Sequence, residues 1–485
     1  MTEETLDPQD WEAMRALGHH MVDDVMAYLQ NVRERPVWQP LPEAIKERLS
    51  EPLPLNPQPA EVVYQEFVEE ILPYPMGNIH PRFWGWVMGN GTPLGVFAEM
   101  LAATVNPNIG GGDHAGVYVE TQVIDWMKEV MGFPSDASGL LVSGGSMANL
   151  VGLTVARNTL AGYDIRAQGL HAGIRQMVLY GSVEMHSSIQ KAVELLGLGA
   201  QALRQIPVNA EYQIDLDKLR QAIREDRAAG LQPFCLIGNA GTVNTGAIDN
   251  LPALAEIAHA ERLWFHVDGA FGALARVSPE LRKLVTGLEL ADSLAFDLHK
   301  WMYMPFEIGC VLVRNEEAHR KAFSLTPEYL SHAERGIAAG AHWFSDYGIE
   351  LTRGFRALKA WMSIKEHGIE KYGRMIHQNV EQAQYLAGLV KQTQELELTA
   401  PVPLNIVCFR YVVPGYTQEQ LNRFNQELLM RLHESGIAAP TSTTLNGEYM
   451  LRAAITNHRS RREDFAMMVE AVVKIGKEME GEFKV

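Results

Sequence analysis

The sequence predicts an α/β protein: a large domain on a mostly parallel sheet, a smaller α+β C-terminal domain and an N-terminal helical arm. Three observations lead there. Between residues 139 and 313, short apolar strands alternate with amphipathic helices across short links, the pattern of a parallel sheet with crossover helices. Before residue 80, one amphipathic helix is followed by a proline-rich stretch with little core of its own. After residue 369, strands and helices recur as an α+β cap. The expected boundaries are 1–79 for the arm, 80–368 for the large domain and 369–485 for the small one.

In the arm, Trp11, Met14, Leu17, Met21, Val25 and Leu29 recur three or four apart and predict a helix within 8–34. Residues 36–59 are proline-rich, with a short helix over 44–49. Such an arm suits a partner subunit. Next, His80-Pro81-Arg82-Phe83-Trp84-Gly85-Trp86 clusters aromatics beside glycines, as a pocket wall or a buried corner would. Helices are predicted over 93–105 and 117–131, with an Asn/Gly loop over 106–112.

The stretch 139–157 reads as an apolar strand, a Ser143-Gly144-Gly145-Ser146 turn and a helix, a geometry that offers free N–H groups to an anion. It is neither a Walker A motif nor a dinucleotide fingerprint. Further strands are predicted at 177–180, 233–239, 263–267, 294–296 and 309–313, with helices opening at His186, Leu216 and Pro252. Leu351 to Ile364 has the spacing of one long helix, ending at Gly368. In the C-terminal part, 404–411 and 449–454 read as strands, and 417–435 and 463–480 as helices.

Composition narrows the function. The chain is 47% hydrophobic and 21% charged, with a net charge of -17, which argues against nucleic acid and anionic membrane as partners. No apolar run reaches membrane-spanning length, and the start shows no leader-like pattern, so a cytoplasmic protein is expected. The cysteines Cys235, Cys310 and Cys408 are far apart in apolar sequence and read as reduced core residues, not as a disulfide or metal set.

Lys300, in Ser293-Leu-Ala-Phe-Asp-Leu-His-Lys-Trp301, is a cation in apolar sequence. Burial favours its neutral amine, the form that carbonyl chemistry needs. His186, Thr242, Asp268 and His299 also fall at or just past strand ends, where such sheets bind ligands. Taken singly, each residue has an ordinary structural reading: a salt-bridged lysine, a capping aspartate, a core histidine, a serine-capped turn. Together they match what pyridoxal phosphate asks of a protein: a lysine amine, a carboxylate for the ring nitrogen, an anion site and a flat group over the ring.

The chain resembles the group II pyridoxal-phosphate-dependent amino-acid decarboxylases, of the aromatic-L-amino-acid decarboxylase type. The resemblance runs through His80-Pro81-Arg82-Phe83, Ser143 to Ser146, His186-Ser187-Ser188, His266-Val267-Asp268-Gly269-Ala270, His299-Lys300-Trp301 and Arg353 to Trp361. It implies an aspartate-aminotransferase-like fold and a homodimer with the active site at the interface. Lys300 would hold the cofactor aldehyde as a Schiff base, and Asp268 would pair with the ring nitrogen. His186 would stack on the ring with Ala270 on the opposite face. Gly145, Ser146 and Ser293 would bind phosphate, His299 would contact the phosphate or ring region, and Thr242 would lie near the ring substituents. Trp86 matches an aromatic substrate-contact position.

The resemblance also raises a question of product. The family carries a proton-donating tyrosine in the loop before the Arg-rich helix. Aligning back from Arg353 without a gap puts Phe344 there, which has no proton to give and implies an aldehyde, carbon dioxide, ammonia and hydrogen peroxide. A small deletion puts Tyr347 there instead and implies plain decarboxylation to the amine. An aminotransferase, a non-enzymatic member of the fold and a nucleotide-binding protein are the competing readings.

Overall fold

The alternation seen in the sequence becomes two sheets in a computed structural model, which describes residues 4–173, 175–325, 333–340 and 342–482. The strands are β1 (Phe83–Trp84), β2 (Ser138–Val142), β3 (Met177–Ser182), β4 (Leu203–Ile206), β5 (Gln232–Asn239), β6 (Trp264–Asp268), β7 (Ser293–Asp297), β8 (Gly309–Val313), β9 (Leu396–Leu398), β10 (Ile406–Tyr411), β11 (Ala439–Leu445) and β12 (Glu448–Ala454). The large sheet has the order β2-β8-β7-β6-β5-β3-β4. Its strands β4, β3, β5, β6 and β7 are parallel, and β8 runs antiparallel between β7 and β2. Strands β5 to β8 are buried along nearly their whole length, which is why they read as unbroken apolar runs without alternation. The second sheet has the order β1-β11-β12-β10-β9 and its own apolar core, with Phe409, Phe424, Leu451 and Phe465 at its centre.

The helices Trp11–Gln30, Pro93–Val105 and Ala115–Met131 lie where their periodicity places them. Asp10 caps the first through the amides of Glu12 and Ala13, and Thr92 caps the second through Gly95.

Three features differ from expectation. Phe83–Trp84, expected in the large domain, is an edge strand of the second sheet, paired in parallel with Ala439 and Pro440. The helix expected over 351–367 spans only Ala357–His367. Its first turn is lost because the Arg353 backbone bonds elsewhere: its N–H donates to Asn108 Oδ1 and its carbonyl accepts from Ile109 N. A 24-residue helix, Ile369–Gln392, opens the C-terminal part and packs against both cores. Among the described residues, no helix is long and apolar enough to cross a membrane.

Candidate active site

The carboxyl ends of the central strands lie side by side. Asn239, Asp268 and Ala295 are partners across β5, β6 and β7, and Asp297 is paired with Gly309 on β8. The helix Gly145–Leu160 starts above this edge, with Gly144 as its cap and no side-chain capping bond. The first amides of a helix have no intrahelical acceptor and face outward. A cavity of about 350 Å³ opens there, with Gly145, Ser146, His186, Asp268, Ala270, His299 and Lys300 among its walls. The fold thus gathers seven of the predicted site residues from four separate stretches of sequence.

Lys300 lies one turn past the end of β7, and its Nζ is 2.8 Å from Asp297 Oδ2. Asp297 is 1% exposed and its Oδ1 has no partner among the described residues. A side chain at Gly145 would put a Cβ 2.9 Å from Asp297 Oδ2, so glycine there keeps the cavity floor open. His299 Nδ1 accepts from Ile308 N at 3.0 Å and its ring packs on Phe306 at 4.7 Å between centroids, and burial lowers its pKa. Gly89 lies against this turn, where a Cβ would overlap the His299 carbonyl oxygen.

Asp268 has a donor on each oxygen. Asn149 Nδ2 donates to Oδ2 at 2.9 Å and Ala270 N to Oδ1 at 3.1 Å. His186 caps the helix Ser187–Leu195, its Nδ1 accepting from Ser188 N, with Ser188 Oγ 2.8 Å away. His186 is exposed and lines the cavity; desolvation lowers its pKa and Asp268 opposes this.

Other predicted residues lie elsewhere in this chain. Ser293 starts β7, fully buried, and its Oγ accepts from Trp264 Nε1 and is 2.8 Å from His266 Nδ1. It stands four residues, roughly 13 Å of strand, from Asp297 and does not line the cavity. Thr242 Oγ1 accepts from Ala247 N within its own turn and does not line the cavity. Trp86 is half-exposed, with its N–H on Thr441 and its carbonyl on Arg452, and is not part of the cavity wall. Phe344 is a core residue under the Arg353 guanidinium, 5.1 Å from its ring centre. Tyr347 donates its hydroxyl to Glu316 at 2.7 Å, and burial followed by that carboxylate raises its pKa. It borders a different cleft, of about 870 Å³, which shares no lining residue with the Lys300 cavity. Sequence reading missed Asn149, Ser188, Asp297 and Glu307, all of which border that cavity. Asn149 carried a signal: it stands one helical turn past the Ser-Gly-Gly-Ser stretch, on the same face as Gly145 and Ser146.

The residues present fit pyridoxal phosphate. An amine, a doubly hydrogen-bonded carboxylate, an imidazole and a bare helix start face one space between small residues. Among the described residues, no cluster of side chains suits a metal ion.

Residues 42–412 match the pyridoxal-dependent decarboxylase conserved domain. The chain is 32% identical over 474 residues to an aromatic-L-amino-acid decarboxylase of Bacillus atrophaeus, covering 96% of each chain. It is 31% identical over 474 residues to a phenylacetaldehyde synthase of Petunia hybrida, covering 94% of this chain and 92% of the relative. In structure it resembles Oryza sativa TDC solved with PLP and tryptamine, with a TM-score of 0.90, 26% identity and coverage of 98% of this chain and 100% of the other. With this fold and these side chains on one cavity, the chain belongs to the group II pyridoxal-phosphate-dependent amino-acid decarboxylases.

Proposed function

We propose that this enzyme decarboxylates an aromatic L-amino acid to the corresponding amine and carbon dioxide. The observation that carries the reading is the convergence of Lys300, Asp268 and His186 on one cavity at the start of the helix Gly145–Leu160. The aromatic class rests on the likeness to the Bacillus atrophaeus enzyme over 96% of both chains. When bound, pyridoxal phosphate supplies a sink for the electron pair left by departing carbon dioxide. The chain's own groups do the rest. Lys300 offers the amine that holds the cofactor and exchanges with the substrate. Asp268, fixed by two donors, holds negative charge where it keeps a ring nitrogen protonated. His186 presents its imidazole to the open side of the cavity, opposite Ala270. The amides of Gly145 and Ser146 suit a phosphate, and His299 closes that end. Trp86, outside the wall of this cavity, would contact the substrate's ring as the resemblance implies.

A second reading, formation of the aromatic acetaldehyde with ammonia and hydrogen peroxide, is favoured by the likeness to the Petunia hybrida enzyme. Purified holoenzyme given L-tryptophan, L-tyrosine, L-phenylalanine and L-DOPA in air separates the two when amine, aldehyde and peroxide are measured together. Amine without peroxide supports the first reading; aldehyde with stoichiometric peroxide supports the second. The stretch between Phe323 and Arg353 holds two tyrosines, Tyr347 and Tyr329, the latter outside the described residues. Because Tyr347 is committed to Glu316, Tyr347→Phe is expected to leave the amine yield within about twofold of wild type, as for an uninvolved side chain. Tyr329→Phe is expected to abolish it. Loss of amine in Tyr347→Phe alone would assign the proton to Tyr347.

The same proposal includes a homodimer with the active site at its interface. Leu6, Trp11 and Met14 on the arm and Met100, Leu101 and Val105 on the helix Pro93–Val105 are exposed apolar side chains in want of cover. Light scattering at micromolar concentration tests it, and a monomer there would refute it. The three cysteines are buried and form no disulfide, which supports a cytoplasmic location; cell fractionation checks this.

A further inference from the structure

Behind Asp268 lies a chain of hydrogen bonds that the proposed chemistry does not use. It runs from Trp264 Nε1 to Ser293 Oγ at 2.8 Å and from Ser293 Oγ to His266 Nδ1 at 2.8 Å. It continues from His266 Nε2 to Asn149 Oδ1 at 2.9 Å. Asn149 Nδ2 then reaches both Asp268 Oδ2 at 2.9 Å and Ser188 Oγ at 3.1 Å. Ser188 Oγ lies 2.8 Å from His186 Nδ1. Asn149, His266, Ser293 and Ser188 are all buried.

The two ends set the direction of every bond. The Trp264 indole can only donate, so the Ser293 hydroxyl hydrogen goes on to His266 Nδ1. His266, held neutral by burial that lowers its pKa to about 3, then carries its proton on Nε2 and donates to Asn149 Oδ1. At the other end, ionised Asp268 can only accept, which turns the Asn149 NH₂ group towards it and leaves that group's second hydrogen for Ser188. Ser188 in turn donates to His186 Nδ1, which also faces the Ser188 amide at 3.2 Å. The neutral His186 ring therefore carries its proton on Nε2.

We propose that Asn149 is a positioning residue that couples the two groups flanking the cofactor: one side chain holds Asp268 as an acceptor and, through Ser188, directs a second hydrogen bond to the His186 Nδ1 that the Ser188 amide already engages. This rests on the roles proposed above for Asp268 and His186. The charged or titratable groups that face this pair are Lys300 and Asp297 across the cavity, Lys191 on the helix that His186 caps, and His299 and Glu307 on the cavity wall. None of them donates to Asp268 Oδ2, so Asn149 is its sole donor among the described residues.

The test uses holoenzyme loaded with ring-nitrogen-labelled pyridoxal phosphate and read by nitrogen NMR, with histidine nitrogens labelled in parallel. Wild type is expected to show a protonated ring nitrogen and His186 with its proton on Nε2. Asn149→Leu should lose much of the protonated-ring signal, bind the cofactor roughly tenfold more weakly, and disturb His186 as well. Ser188→Ala should disturb His186 alone and leave the ring nitrogen protonated. Should Asn149→Leu fail to fold, the isosteric Asn149→Asp keeps the acceptor for His266, removes both donors and reports on the same two signals. Ring-nitrogen and His186 nitrogen signals unchanged in the Asn149 variants would overturn the coupling while leaving the roles of Asp268 and His186 intact. An unprotonated ring in wild type would overturn the role of Asp268 and the coupling with it.

Discussion

Replacing Lys300 by arginine is expected to lower kcat by on the order of a thousandfold or more, with the fold retained. Arginine keeps a cation beside Asp297, but its guanidinium stays protonated and cannot form an imine. Borohydride treatment of wild-type holoenzyme should fix the cofactor to the chain, as mass spectrometry would show, and the variant should carry none. Lys300→Ala should be equally inactive and also less stable, by about 3 kcal/mol, because it strands a buried carboxylate. Asp297 is 1% exposed and Lys300 is its only close cation among the described residues, 2.8 Å away, while burial lowers the pKa of the His299 ring 3.8 Å away. Urea melts of the two variants separate the chemical loss from the electrostatic one. Substantial amine production by Lys300→Arg would remove Lys300 from the mechanism.

The largest expected change in stability comes from Arg353→Met, about 3–5 kcal/mol. Arg353 and Glu120 form an ion pair at 2.5 Å with both side chains essentially inaccessible. The guanidinium also donates to the carbonyls of Ile109 and Leu141, so it joins the 106–112 loop to β2. Methionine replaces the volume but leaves Glu120 buried and uncompensated. Burial already raises the Glu120 carboxyl above its usual range and Arg353 pulls it down, so the substitution raises it further. A carboxyl whose folded pKa exceeds its unfolded one, about 4.3, costs nothing below that value and progressively more as pH rises towards the folded pKa. The variant's deficit should therefore be smaller at about pH 5 than at about pH 8 in denaturant melts. An equal deficit at both would show that lost packing, not the stranded charge, dominates.

Both effects draw on residues that the sequence reveals to different degrees. Lys300, Asp268 and His186 were legible because strand ends and helix starts are local features, and a lysine in an apolar run is anomalous wherever it occurs. Arg353 was legible as part of a helical pattern and of the family resemblance, but not as a buried ionic group. Leu351 and Phe355 have helical spacing, and nothing local shows that the Arg353 backbone bonds to Asn108 and Ile109, more than 240 positions away. Phe83 and Trp84 likewise join the second sheet through partners at 439 and 440.

What the sequence by itself determined is the α/β plan and the identity of the groups that meet at its carboxyl edge. Apolar periodicity and turn chemistry are short-range, and they are set residue by residue. What only the tertiary structure decided is which neighbours those groups have. Ser293, expected at the phosphate, starts its strand and bonds Trp264 and His266; Tyr347 bonds Glu316; Asn149 reaches Asp268 across 119 positions. Each of these pairings depends on sheet order and strand register, which bring distant segments within hydrogen-bond reach, and buried polar atoms then take whichever partner that geometry supplies.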